Sequence, residues 1–351
     1  MQAELLQGDW HYPTEIAAGA GRFAELADTC IAVGMRAPLL VTDPVLAALP
    51  MVDEALTRCR DAQLHIGLFA GISGNPRGEE ISAGVDAYRA GQHDGVIALG
   101  GGSALDAGKA VALMAGQTGT LWDYEDLGDN WQRVNGAAIA PIVAVPTTAG
   151  TGSEVGRAAV ITDPARQHKA IIFHPAMLPR RVILDPELTT GLPAAVTAAT
   201  GMDALAHNLE AYFAPGYHPQ ADAIAMEGAR LVHDYLPRAV SRGDDIEARM
   251  QMLSASSLGA TAFQKGLGAM HALAHPLGAV YDAHHGLLNA ILMPYVLERN
   301  RAAIATRAAR LAAYLGLDAV TIDGLLSWVL TLRRQIGIPH CLADIGIGED
   351  Q

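Results

Sequence analysis

Two hydrophobic rhythms divide this chain. In the first half, short continuous apolar runs rich in β-branched residues alternate with amphipathic stretches. The runs "APLLVTD" (37–43), "QLHIGLFA" (63–70), "HDGVIALGGGS" (93–103) and "APIVAVPTTAG" (140–150) predict buried strands. The segments "PVLAALPMVDEALTRCRDA" (44–62) and "NPRGEEISAGVDAYRAGQ" (75–92) predict helices between them. Buried strands alternating with helices predict a parallel sheet covered on both faces. A shorter set of strands follows in "AAVITD", "KAIIFHP" and "RVILDP". Near residue 188 the rhythm changes. From "LPAAVTAATGMDALAHNLEAYF" onward apolar residues recur at three and four positions, and strand-like runs stop. Pro193 is placed to begin a helix, and Pro215-Gly216 to end one. The expected organisation is an α/β domain over residues 1–188 and an all-α domain over residues 189–351.

Composition narrows the class. A chain of 351 residues exceeds one ordinary core, which agrees with two domains. A net charge of −13 argues against a nucleic-acid partner. No apolar stretch is long enough to predict a membrane span. The N-terminus, "MQAELLQGDWHYPTEI", has acidic residues and no basic region of the kind that opens a secretion signal. Cys30, Cys59 and Cys341 are an odd number at unrelated spacings, so neither a disulfide framework nor a zinc ribbon is expected. A cytoplasmic location is the expectation.

Three stretches carry chemistry. In "VIALGGGSALDAGKAVAL" (96–113) a buried strand runs into Gly100, Gly101, Gly102 and Ser103 and then a helix. Consecutive glycines let backbone N–H groups approach a phosphate, and the helix N-terminus favours negative charge. Asp106 and Lys109 stand one helical turn apart on a face near that turn, a spacing that also suits a solvated ion pair. In "VPTTAGTGSEV" (145–155), Thr147, Thr148 and Thr151 cluster after a strand, where open α/β sheets bind ligands. Asp43 closes the "LLVTD" strand. An acid there can accept from a ribose 2′-hydroxyl and would repel a 2′-phosphate, favouring NAD over NADP.

The third stretch, "GAMHALAHPLGAVYDAHHGLLNA" (268–290), is apolar yet holds four of the 13 histidines: His271, His275, His284 and His285. Buried imidazoles without partners are costly, and a metal removes that cost by using their lone pairs. His271 and His275 are spaced i,i+4. Pro276, Gly278 and Gly286 let the chain turn and return His284 or His285. Upstream, Asp203 and His207 share a helix face at i,i+4 and add an oxygen and a nitrogen. A mixed oxygen and nitrogen set suits Fe(II) or Zn(II) better than Ca(II) or Mg(II).

In order and spacing, "GGGSALDAGK", "PTTAGTGSE", "GMDALAHNLEAY" and "HALAHPLGAVYDAHHG" resemble the iron-containing (group III) alcohol dehydrogenase family. The resemblance spans nearly the whole chain. It implies an N-terminal dinucleotide-binding α/β domain, an all-α C-terminal domain in the dehydroquinate synthase-like architecture, and a metal in the cleft between them. It implies Asp203, His207, His271 and His285 as metal ligands, His275 beside the metal without binding it, and a structural role for His284. His275 is then the candidate for relaying a proton to solvent. Gly100, Gly101, Gly102 and Ser103 match the pyrophosphate-binding turn, and Thr147, Thr148 and Thr151 match residues around the diphosphate and nicotinamide ribose. Asp43, Asn75 (in "SGNP") and Lys169 (in "QHKAIIF") match further cofactor contacts. The implied reaction is hydride transfer between NAD(H) and a small primary alcohol or aldehyde, with Fe(II) or Zn(II), in a homodimer. The implied dimer contact is an edge strand within "HYPTEIAAGAGRF". Phe263, Tyr281 and Met202 are candidates for the alcohol pocket.

The sequence departs from the family pattern in places. Ala104 and Gly108 replace the usual Pro and Ala, which should loosen the phosphate turn slightly, and Ala158 replaces an Asn found near the ribose in some members. Members also continue past the end of this sequence through another helix. Two other readings compete: a glycerol-dehydrogenase-like zinc polyol enzyme, and a metal-dependent hydrolase. The hydrolase reading leaves the glycine turn and threonine loop without a purpose.

Overall fold

The computed structural model describes residues 8–10 and 14–348. His11, Tyr12 and Pro13 of the anticipated edge strand lie outside the described residues, as do residues 1–7 of the segment searched for a signal and residues 349–351. The chain forms two compact units. One runs to Thr147 and resumes over Ser153–Thr189; the other comprises Thr148–Gly152 and the chain from Thr190. The excursion at 148–152 is one that a single boundary near residue 188 does not include.

The first unit contains β1 (Gly8–Trp10), β2 (Glu15–Ala18), α1 (Leu26–Ala32), β3 (Pro38–Val41), α2 (Pro44–Ala47), α3 (Pro50–Asp61), β4 (Gly67–Phe69), α4 (Gly78–Ala90), β5 (Gly95–Gly100), α5 (Gly102–Met114), β6 (Ile142–Pro146), β7 (Ala158–Asp163), β8 (His168–Phe173) and β9 (Arg181–Leu184). Among the described residues one sheet has the order β1-β2-β9-β6-β5-β3-β4. Only the β1–β2 pair is antiparallel. Every residue of β3, β5 and β6 is buried, with no alternation, because both faces of these strands are covered. One face packs Leu40, Ile97, Leu99, Val143 and Ile183 against Leu26, Val52 and Leu56 of the helices.

Several sequence expectations change here. Glu15–Ala18 is not an edge: β1 covers one side and β9 the other. The late strands also go to different places. β9 enters the main sheet between β2 and β6, whereas β7 and β8 form a separate antiparallel ribbon. The stretch 44–62 breaks into two helices because Pro50 fixes the backbone before it as extended and starts a new helix at its first position.

The Asp106–Lys109 pair is buried rather than solvated. Lys109 Nζ lies 3.1 Å from Asp106 and donates to the carbonyls of Ser153, at 3.0 Å, and Ala158. Asp106 accepts from Ser153 Oγ at 2.5 Å and from the Val160 N–H at 2.9 Å. The pair ties α5 to the start of the β7–β8 ribbon. Nor does Gly108 loosen the turn. A Cβ there would lie 2.6 Å from Ala98 Cβ, so glycine brings α5 close onto β5.

The second unit is helical among the described residues: α6 (Ala194–Phe213), α7 (Pro219–Ser241), α8 (Ile246–Ala262), α9 (Ala269–Tyr281), α10 (His285–Arg299), α11 (Arg301–Tyr314) and α12 (Ile322–Gln335). Its core gathers Leu205, Leu209, Tyr212, Leu236, Met252, Met293 and Val329. Thr148–Gly152 packs on this body. A Cβ on Gly150 would meet Thr200 at 2.9 Å, and Gly152, at φ +64°, abuts Ser256 and Ala260. Met202, expected beside the substrate, is fully buried in the same core. No helix among the described residues is long and apolar enough to cross a membrane.

Replacing Lys109 with Met should leave a buried, uncompensated carboxylate and lower stability by about 3–5 kcal/mol in urea unfolding. Adding Asp106→Leu should recover part of that loss. A single variant within about 1 kcal/mol of wild type would show that the pair does not hold the ribbon.

Candidate metal centre

The second unit brings three of the four expected ligand side chains into one buried cluster. Asp203 and His207 lie one turn apart on α6, and His271 comes from the first turn of α9. One donor atom from each falls within 4.8 Å of the others. The fourth, His285 at the start of α10, places Nε2 3.7 Å from Asp203 Oδ1. Asp282 at φ +52° reverses the chain between α9 and α10, which is how residues 14 positions apart come to share a cluster. His284 instead caps α10, its Nδ1 accepting from the Leu287 N–H at 3.3 Å. His275 is half-buried, with its ring 6.0 Å from that of His271 and 5.3 Å from that of His285. Phe263 packs on His207 at 5.2 Å between ring centres.

The donor chemistry tests whether these residues suit a cation. His271 Nδ1 lies 2.6 Å from Glu210 Oε2, and His207 Nδ1 lies 3.2 Å from the Gly150 carbonyl. An ionised carboxylate and a carbonyl only accept, so each ring carries its proton on Nδ1 and presents a lone pair at Nε2. The two Nε2 atoms are 3.0 Å apart. Two lone pairs so close, in a buried setting beside an aspartate, repel unless a positive centre lies among them. The residues therefore fit a divalent metal.

The charge states agree. Burial pushes the Glu210 carboxyl up, but the bond from His271 and the N–H groups of Gly268 and Met270 outweigh it and hold Glu210 below its ordinary range. Burial likewise raises Asp203, and the imidazoles of His207, His285 and His271 with the Asn289 amide overcome it, so Asp203 stays ionised. Burial pushes His207 down to about 4 despite Asp203. His207 is thus neutral near pH 7, the state in which an imidazole can coordinate a metal.

Glu210 and Asn289 were not anticipated from the sequence. Glu210 follows Asp203 and His207 at i+7 and i+3 on the same helix face, a spacing that could have revealed it. Asn289 follows His285 by one turn, and its Nδ2 lies 2.7 Å from Asp203 Oδ1.

In the first unit the glycine turn sits at the carboxyl ends of adjacent strands. Gly100 ends β5 at φ +146°, where a Cβ would lie 2.7 Å from Ala104 Cβ and 3.1 Å from Leu46. Gly101 and Gly102 then open α5. The Thr147 N–H donates to the Gly100 carbonyl at 2.9 Å, linking the β5 and β6 ends. Ser103 Oγ donates to the Gly74 carbonyl at 2.6 Å, and the neighbouring Asn75 accepts from Lys169 Nζ at 2.7 Å. Asp43 caps α2, one oxygen accepting from the Val45 and Leu46 N–H groups. These residues gather in one unit, whereas Thr148 and Thr151 belong to the body of the other.

The family model for iron-containing alcohol dehydrogenase matches residues 13–186, and that for the C-terminal domain of the Fe-containing alcohol dehydrogenase family matches residues 197–351. A 4-hydroxybutyrate dehydrogenase from Cupriavidus necator is 39% identical over 97% of this chain and 90% of its own length. The crystal structure of a 1,3-propanediol oxidoreductase superposes with a TM-score of 0.89 at 36% identity, covering 95% of this chain and 88% of that one. A sulfoacetaldehyde reductase from Bifidobacterium kashiwanohense, solved in complex with NAD+, gives a TM-score of 0.86 at 32% identity over 97% of this chain and 88% of its own. The chain belongs to the iron-containing alcohol dehydrogenase family and is a metal-dependent alcohol dehydrogenase that works with a nicotinamide cofactor.

Proposed function

We propose that this enzyme interconverts a small primary alcohol and its aldehyde, with the cation held by Asp203, His207, His271 and His285 and the dinucleotide held by the sheet unit. The observation that carries the metal assignment is the pair of imidazole lone pairs facing one another 3.0 Å apart beside a buried carboxylate. When bound, the cation supplies Lewis-acid polarisation of the substrate oxygen, and the nicotinamide supplies the carbon that accepts or gives hydride.

The chain's own residues do the rest. Glu210 fixes the tautomer and orientation of His271, so that Nε2 is always the donor. Gly100, Gly101, Gly102 and Ser103 offer N–H groups and a helix N-terminus to the pyrophosphate. Thr147, Thr148 and Thr151 supply hydroxyls for the diphosphate and nicotinamide ribose, and Asn75 and Lys169 form a further polar contact surface. Asp43 keeps one carboxylate oxygen clear of its capping bonds, which supports NAD over NADP. His275, half-buried beside two ligand rings, is placed to pass the alcohol proton towards solvent. Phe263, against His207, supports an apolar wall for a short carbon chain.

The sheet and helical units correspond in this reading to a dinucleotide-binding domain, residues 1–188, and a metal-binding domain, residues 189–351. The assignment to the cytoplasm is supported by cysteines that form no disulfide framework. A homodimer is supported by the family resemblance and by β1, which pairs with β2 alone among the described residues.

Asp203→Ala and His271→Ala should retain less than about a tenth of an equivalent of metal by elemental analysis while keeping their helical circular dichroism. A full equivalent in either would refute the ligand set. Asp43→Ser keeps a capping oxygen and removes the charge. It should raise kcat/KM with NADPH relative to NADH about 10-fold, as loss of ~1.4 kcal/mol of repulsion would. An unchanged ratio would remove Asp43 from the ribose site. His275→Ala should keep its metal and lose about 100-fold in kcat. Wild-type turnover with an unaltered pH profile would leave His275 without a catalytic part.

A further inference from the structure

Asn289 is fully buried on α10, one turn beyond His285. Its Nδ2 lies 2.7 Å from Asp203 Oδ1, 3.1 Å from His271 Nε2 and 3.1 Å from His285 Nε2. One amide nitrogen thus lies within hydrogen-bond distance of three of the four proposed ligand side chains. Its own Oδ1 is buried with no hydrogen bond. The reverse amide orientation would set that oxygen against a carboxylate oxygen and the His271 Nε2 lone pair, so the electrostatics fix Nδ2 toward the cluster. The protein tolerates an unpaired buried carbonyl to keep this donor in place.

We propose that Asn289 is a positioning residue of the metal centre: one amide N–H holds Asp203 Oδ1 and the other faces the His271 and His285 rings, setting the spacing of these side chains before the cation enters. This rests on the ligand set proposed above and deepens it. The amide suits the task for a chemical reason. It is neutral, so it adds no charge to compete with the metal. It has two N–H groups, so it can hold the aspartate oxygen while facing imidazole nitrogens. An aspartate would repel Asp203, and a leucine of similar size would fill the space without holding anything. Asn289 also sits at i+4 from His285, so a bond from its amide to Asp203 on α6 fixes the rotation of α10 and with it the approach of His285.

The test uses the full chain, stripped with chelator and titrated with Co(II), whose visible spectrum reports ligand geometry. Asn289→Leu preserves bulk and removes the donor; Asn289→Ala guards against a variant that fails to fold. Each should keep wild-type circular dichroism, bind Co(II) 10- to 100-fold more weakly in competition with a fluorescent chelator, and show an altered d–d spectrum. Asn289→Gln should restore only part of the affinity, because its extra methylene displaces the amide. Wild-type affinity and spectrum in both the Leu and Ala variants would overturn the proposal. His271→Ala serves as the companion measurement. If it loses Co(II) while the Asn289 variants keep it, the role of Asn289 fails and the ligand set stands. If His271→Ala binds Co(II) as the wild type does, the ligand set itself fails.

Discussion

His207 and His271 hold their Nε2 atoms 3.0 Å apart, each ring already donating its Nδ1–H to an acceptor that has no proton to offer. That arrangement is unfavourable by itself, and the helical unit is organised to maintain it. α6 supplies Asp203, His207 and Glu210 from one face. α9 delivers His271 against them, and the reversal at Asp282 brings α10 back with His285 and Asn289. Stability and function pull against each other here: a cluster of acceptors is expensive to bury, and the same expense makes it avid for a cation.

The surrounding acceptors decide which atoms are offered. Glu210 and the Gly150 carbonyl determine that His271 and His207 present Nε2 and not Nδ1 to the cluster. Gly150 is part of Thr148–Gly152, the excursion of the threonine loop into the helical body. A segment that reads as a cofactor loop thus also orients His207, one of the proposed ligands. The close fit of Gly150 on Thr200 and of Gly152 on Ser256 and Ala260 is the packing reason for both glycines.

The sheet unit solves a different problem, a sharp passage from strand to helix at a run of glycines. The left-handed conformation of Gly100 turns the chain sharply from β5 into α5, and its missing Cβ avoids Ala104 and Leu46. Gly108 draws α5 onto β5, and the buried Asp106–Lys109 pair fastens the ribbon that carries Lys169 to the same helix. Lys169 in turn reaches Asn75, so residues far apart in sequence meet around the glycine turn.

Sequence alone determined the order of elements and the glycine turn, and it singled out the carboxylate and imidazoles proposed as metal ligands, because each leaves a local mark: an apolar run, a run of glycines, a carboxylate or imidazole repeated at helical spacing. Local pattern stops short of how elements pair and what surrounds a side chain. The family resemblance implied an edge strand within residues 11–23, the spacing of Asp106 and Lys109 also suited a solvated pair, and Met202 stood among the candidates for the alcohol pocket. Each was decided by neighbours from distant segments: β9 beside β2, the Ser153–Val160 backbone over α5, and the helical core around Met202. Glu210 and Asn289 lay within recognised motifs at helical spacing, but an acid or an amide on a helix face has no distinctive meaning until a third element arrives to use it. Tertiary packing supplied that element, since hydrogen-bond partners and the dielectric around a group are set by what folds against it.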